Sequence, residues 1–263
     1  MVTPLFGIIA ISLSLFFATN ENRALASPPS PKPYVVVLDP GHGGADTGAS
    51  GRLGKTRIAE KEVALAIALK AAKILGNPAY YKPLGRKIQV VLTRHSDRSV
   101  SLEERSEKAK RLKADLFVSI HANSEPTKKA HGLETYFLNN TDDQSSLKLQ
   151  QIENRSSKRA RKSNSLLIRS VAADATVESS RSAAEVLQSS IVDQLRSEDL
   201  KVQDRGVKQA MLYVLLDAQV PAALVEGFYL SNKNDLALVA QPENRSKIAE
   251  GLAKGVLRFL ATK

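Results

Sequence analysis

The chain has 263 residues, enough for one domain of ordinary size with a full core but hardly for two. Its 43% hydrophobic and 25% charged residues make a folding mixture, which excludes collagen-like and wholly disordered chains. Thirty-eight Lys and Arg against 27 Asp and Glu leave a net charge of +11, which favours a polyanionic neighbour of some kind, and the absence of cysteine excludes disulfides, cysteine nucleophiles and thiolate metal centres. Any metal must therefore be held by His, Asp or Glu, and there are four His.

The first element is an apolar run, Leu5 to Ala18, too short for a bilayer span of roughly 20 residues but of signal-peptide length. Ala24-Leu25-Ala26 offers a small-x-small cleavage pattern, and the Pro-rich SPPSPKP that follows is a spacer. MVTP in front carries no Lys or Arg, so an uncleaved anchor stays open beside a cleaved leader. Residues 1–26 are thus expected to direct export to the periplasm or cell envelope, 27–33 to be a linker, and 34–263 to form the folded domain. Membrane contact is expected only through an uncleaved leader.

From Tyr34 the pattern changes. YVVVLDPGHGG predicts a buried strand, Val35 to Leu38, ending in a glycine turn. Glu60 to Leu75 repeats apolar residues at helical spacing until Gly76-Asn77-Pro78 stops it. KIQVVLTR is a second strand, and Ser101-Leu102-Glu103-Glu104 is a capping box opening a basic helix to about Leu112. ADLFVSIHAN, HGLETYFL, MLYVLL and PAALVEGFY predict four more strands, and a terminal helix opens near Asn244. Apolar strands alternating with amphipathic helices predict an α/β domain: a mostly parallel or mixed sheet of about six strands with helices on both faces.

In an open α/β sheet the site lies beyond the carboxyl ends of the strands. His42, Glu60, His121 and Glu226 fall at or just after such ends or at a helix start. Two imidazoles, a carboxylate and an open fourth position are the ligand set of catalytic zinc. A His after a glycine turn is also commonly a surface or capping residue, and a carboxylate in an LVEGF context also serves to pair a core Arg. Gly41, Gly43 and Gly44 would allow a tight turn around His42, with Asp39 either accepting from its second ring nitrogen or ordering the turn. The glycines match neither the phosphate-loop nor the dinucleotide pattern.

DPGHGG at 39–44, EK at 60–61, TR at 93–94, SLEER at 101–105, SIHAN at 119–123, DRGVK at 204–208, and VE followed by SN five residues after the Glu occur in that order. Together they resemble the zinc-dependent N-acetylmuramoyl-L-alanine amidases over nearly all of the chain after the linker. The resemblance implies His42, Glu60 and His121 as zinc ligands and Glu226 as the catalytic carboxylate. It implies as substrate the amide joining N-acetylmuramic acid to L-alanine in peptidoglycan. One departure is Phe228, where the family commonly has Gly. Arg94, Asn123 and His131 are candidates for supporting the metal or touching substrate. No wall-binding repeats are expected. The alternative from another class is an inactive peptidoglycan-binding envelope protein, and no nucleic-acid partner is expected.

Residues 139–178 are polar and too long for an ordinary connection, with RSSKRARK strongly basic. They are either a solvated loop or a contact surface. The resemblance implies a further role, a regulatory helix that occludes the zinc until an activator protein displaces it. Such a plug needs a carboxylate, either Glu153, flanked by Leu147, Leu149 and Ile152, or Glu178.

Overall fold

A computed structural model describes residues 31–157 and 176–263. The leader and most of the RSSKRARK run lie outside the described residues. Six strands form one sheet: β1 (Tyr34–Pro40), β4 (Ile88–Leu92), β5 (Leu116–Asn123), β6 (Leu133–Leu138), β7 (Asp204–Ala210) and β8 (Ala222–Tyr229), in the order β4-β1-β5-β8-β6-β7. Every pairing is parallel except β6 against β8, which makes the sheet mixed. A small hairpin, β2 (Ser50–Leu53) and β3 (Thr56–Ala59), stands apart and leads into α1 (Glu60–Leu75).

The strand residues alternate faces, as a period of two demands. Val36, Leu38, Val118, Ile120 and Val225 pack into the larger core with α1, α5 (Thr176–Ser197) and α8 (Pro242–Leu260). Val37, Phe117, Tyr136 and Leu224 point the other way, into a smaller core shared with α3 (Leu102–Leu112) and α6 (Tyr213–Leu216). By the same alternation Asp39, His121, Glu134 and Glu226 share this second face. Three parallel strands, β1, β5 and β8, end there, and the antiparallel β6 begins there. Short α2 (Pro78–Tyr81), α4 (Gln144–Glu153) and α7 (Lys233–Ala240) complete the helices described.

One predicted strand is wrong. MLYVLL is a turn followed by α6, and the sixth strand is the preceding DRGVKQA. A short apolar run does not distinguish strand from buried helix by periodicity. Here the backbone of Met211 is taken by side chains, its N–H donating to Gln150 Oε1 and its carbonyl accepting from Asn154 Nδ2. β7 lies at the sheet edge, where charged residues are the usual protection, so Arg205, Gly206 and Lys208 obscure its strand character.

β8 carries a bulge. His121 pairs with Glu226 and Asn123 with Tyr229, so β8 has one residue more than β5 across the same span. Phe228 takes up the kink with φ of 76°, fully buried. Glycine would be unstrained there; a phenylalanine is not.

Candidate active site

His42 follows β1 on a glycine turn, in the left-handed region at φ 54°. Its Nδ1 lies 2.9 Å from Asp46 Oδ2, leaving Nε2 to face the cleft. Asp46, four residues on, thus holds the position expected of Asp39. Asp39 is fully buried and accepts instead from Thr93 (2.5 Å), Ser119 (2.8 Å) and Arg105 (2.7 Å). Burial pushes the Asp39 carboxyl up, but the charge of Arg105 and these three hydrogen bonds outweigh it and hold the pKa below the usual value.

Glu60 is buried at the first turn of α1, where a carboxylate complements the helix dipole. Its Oε2 accepts from Ala49 N at 2.7 Å, and its Oε1 accepts from Ala122 N at 3.0 Å while lying 2.9 Å from His121 Nδ1 and 3.0 Å from His42 Nε2. His121 closes β5, and its ring packs on Gly41, where a Cβ would come within 2.5 Å of ring atoms. Gly48 is needed for the same reason, because a Cβ there would meet Glu60 Oε2 at 2.4 Å.

Glu153, the last residue of α4, brings its Oε2 to 3.2 Å from His121 Nδ1 and 3.8 Å from His42 Nε2. His42, Glu60, His121 and Glu153 each offer one ligand atom, and all four atoms lie within 4.8 Å of one another. Glu226, beside His121 on the next strand, is buried, and among the described residues its Oε2 has no hydrogen-bond partner. A cavity of about 540 Å³ is lined by these five residues together with Asp46 and Asn123.

The electrostatics favour a cation. Burial opposes charging His42, yet the charge of the nearby Glu60 carboxylate and the hydrogen bond to Asp46 raise its pKa to about 11. Burial likewise opposes ionising Glu60, but the two histidines pull its pKa well down. Glu226 is pushed well above the usual carboxylate range, first by burial and then by the charges of Glu153, Glu60 and Glu134. Among the described residues, His42 Nε2 is buried without a well-formed hydrogen bond. A pocket that concentrates carboxylates and leaves an imidazole nitrogen orphaned fits a divalent metal of intermediate softness, for which N and O donors are suitable ligands.

The remaining candidates divide. Asn123 lines the cavity and donates from Nδ2 to Glu134 Oε1 at 3.0 Å. Arg94 is fully buried but donates to backbone carbonyls rather than to a carboxylate. His131 is exposed, beside the Lys129 carbonyl, and does not line the cavity. Glu178 points to solvent at the start of α5, 85% exposed, so of the two plug candidates only Glu153 reaches the cluster. Glu134 was not singled out by sequence. It lies opposite Glu226 in the β6–β8 ladder, buried, and accepts from Asn123, Tyr136, Tyr229, Arg205 and Lys208 or pairs with them. A lone Glu in a strand carries no motif that would have found it, whereas Asp46 was recoverable from its four-residue spacing to His42.

A family profile described as N-acetylmuramoyl-L-alanine amidase matches residues 36–258. The chain is 36% identical over 230 residues to N-acetylmuramoyl-L-alanine amidase AmiA of Escherichia coli K12, covering 86% of this chain and 75% of that protein. Among solved structures, an N-acetylmuramoyl-L-alanine amidase from Clostridium difficile 630 superposes with a TM-score of 0.66 at 28% identity, covering 89% of this chain and all of the other. The amidase AmiC2 of Nostoc punctiforme gives 0.61 at 31% identity, over 86% and 97% of the two chains. The extent of these matches, over the same residues that build the His-Glu-His cluster, settles the relationship: the chain belongs to the N-acetylmuramoyl-L-alanine amidase family.

Proposed function

We propose that the protein hydrolyses the amide between N-acetylmuramic acid and L-alanine in peptidoglycan, with His42, Glu60 and His121 holding zinc and Glu226 moving the proton. The observation that carries this reading is the convergence of three ligand atoms and one orphaned buried carboxylate on a single cavity. A bound zinc would supply Lewis acidity toward the amide carbonyl and toward water. Asp46 fixes the tautomer and ring plane of His42 by accepting from Nδ1. Gly41 and Gly48 let the His121 and Glu60 side chains close in. Glu226 accepts the proton of the attacking water at Oε2 and returns it to the alanine nitrogen as the C–N bond breaks. Its buried, carboxylate-rich surroundings make it a ready proton acceptor, and a cation beside it restores the ionised starting form. Glu134 keeps Asn123 and Tyr229 oriented beside it.

Glu153 fills the position that substrate and water need, so α4 acts as a plug and the resting enzyme waits for an activator protein to lift it. Leu149 is buried beneath the helix, while Ile152 stays half exposed and available to such a partner. Export by the 1–26 leader to the periplasm or envelope brings the enzyme to its substrate.

The deciding experiment incubates purified peptidoglycan with the zinc-loaded protein, with and without Glu153→Ala, and looks for free stem peptides by mass spectrometry. Release of peptides bearing an L-alanine amino terminus is the expected result. Glycan strands that keep their peptides even with Glu153→Ala would instead mark an inactive wall-binding protein.

A further inference from the structure

The loop that carries His42 is held in an unusual way. The carbonyls of five successive residues, Pro40 to Gly44, are all taken by side chains from elsewhere. Pro40 O accepts from Arg94 Nε (2.9 Å) and from Arg105 Nη1 (2.7 Å). Gly41 O accepts from Arg94 Nη2 at 2.6 Å, and His42 O from Arg105 Nη2 at 2.6 Å. Gly43 O accepts from Ser99 Oγ at 3.2 Å, and Gly44 O from Lys61 Nζ at 2.9 Å.

The two guanidiniums are the centre of this arrangement. Arg94 is 0% and Arg105 3% exposed, and both donate to the same Pro40 carbonyl. Burying two like charges side by side is costly. Arg94 bears most of that cost. Among the described residues it has no direct carboxylate partner, and burial followed by the charge of Arg105 lowers its pKa to about 10. A fold that merely needed to fill this space would use apolar residues. What the guanidiniums do instead is fix a backbone path: His42 sits at φ 54°, a left-handed conformation that a non-glycine residue keeps only where its surroundings enforce it.

The second end of each fork reaches a different part of the site. Arg94 Nη2, while binding Gly41 O, also donates to Lys61 O at 2.8 Å, in the turn of α1 that presents Glu60. Arg105 Nη1 also donates to Asp39 Oδ1, and Asp39 in turn accepts from Ser119, two residues before His121. The same two side chains therefore connect the His42 loop to the segments that carry Glu60 and His121.

We propose that Arg94 and Arg105 are positioning residues for the metal site, a paired clamp that sets the distance of His42 from Glu60 and His121. This rests on the ligand assignment proposed above. A Lys keeps the charge but not the planar fork, so it cannot reach two carbonyls and a third acceptor at fixed angles.

The test uses the full chain with Arg94→Lys and Arg105→Lys. Zinc affinity is measured by competition with a chromophoric chelator, and the cobalt-loaded forms are compared by visible absorption. Glu226→Gln serves as a control that leaves the clamp intact. Each Lys variant is expected to lose about 10- to 100-fold in zinc affinity and to shift the cobalt spectrum, the usual cost of disturbing groups that orient ligands. Lys variants with wild-type far-UV circular dichroism, zinc affinity within about twofold of wild type and an unchanged cobalt spectrum would overturn the clamp. A wild-type protein that binds no zinc would overturn the ligand assignment itself. If the Lys variants do not fold, Ser99→Ala removes one carbonyl contact from the same loop; a loss of about two- to fivefold in zinc affinity supports the clamp, and no loss overturns it.

Discussion

Seating of α4, the proposed plug, can be perturbed without touching the proposed metal ligands. Asn154, one residue past α4 and only 7% exposed, donates from Nδ2 to the Met211 carbonyl at 2.7 Å and accepts at Oδ1 from Tyr213 N at 2.8 Å. Each such bond contributes a net ~0.5–1.5 kcal/mol, so Asn154→Ala weakens the closed state by about 1–3 kcal/mol. At 1.4 kcal/mol per factor of ten, the open fraction rises about 5- to 150-fold, up to the point where the open form predominates. Unassisted release of stem peptides from purified peptidoglycan, at saturating zinc, should rise by the same factor. Glu153→Ala, assayed beside it, should raise the basal rate too, because it removes the carboxylate from the cleft. Wild-type basal rates in both folded, zinc-loaded variants would refute α4 as a plug.

Further predictions separate the roles within the cleft and the core. His42→Ala should lose zinc and activity together on metal analysis, whereas Glu226→Gln should retain zinc and lose about 10²- to 10⁴-fold in turnover; loss of zinc from the Gln variant would make Glu226 a ligand. Asp39 has a folded-state pKa below its unfolded value of about 3.9, so its contribution is complete above that value and disappears as pH falls through the lower folded pKa. Asp39→Asn should therefore lower stability at neutral pH, by up to ~3–5 kcal/mol for a broken buried pair, and flatten the acid limb of a plot of Tm against pH; parallel curves would refute this. Phe228→Gly relieves about 1–3 kcal/mol of backbone strain but gives up about 3–5 kcal/mol of core packing, so urea unfolding should show a net loss of about 2 kcal/mol. A stabilised variant would mean that the strain dominates.

How much of this was legible in sequence depended on whether the signal was local. Continuous apolar runs gave β1, β5 and β8, and the Ser101–Glu104 capping box is present, with Ser101 Oγ accepting from Glu104 N at 3.3 Å. His42, Glu60, His121 and Glu226 could be placed because strand ends converge on one edge whatever the loop details. The loop details themselves were not legible. Whether Asp39 or Asp46 reaches the His42 ring depends on φ angles at residues 42 to 44, which the glycines permit but do not specify. β7 was hidden by its edge charges. α5 was hidden by its polar composition, although Ala183, Leu187, Ile191 and Leu195, all fully buried, recur every four residues. Glu134 became visible only once the ladder set it opposite Glu226.

The strand order also governs how the chain can assemble. β8 sits between β5 and β6, yet it is made about a hundred residues after β5, with α4, α5 and β7 in between. Until residues 222–229 emerge from the ribosome, the apolar edge of β5 has no neighbour on that side. An incomplete chain is then an aggregation hazard. The three proposed ligands, His42, Glu60 and His121, are by contrast all made before residue 122, whereas Glu226 arrives only with β8. An ion that binds the native arrangement of this set, at a free concentration 100 times its dissociation constant, would deepen the native state by about 2.7 kcal/mol. The proposed catalytic carboxylate is thus the last part of the cleft to be placed, on a middle strand that arrives late.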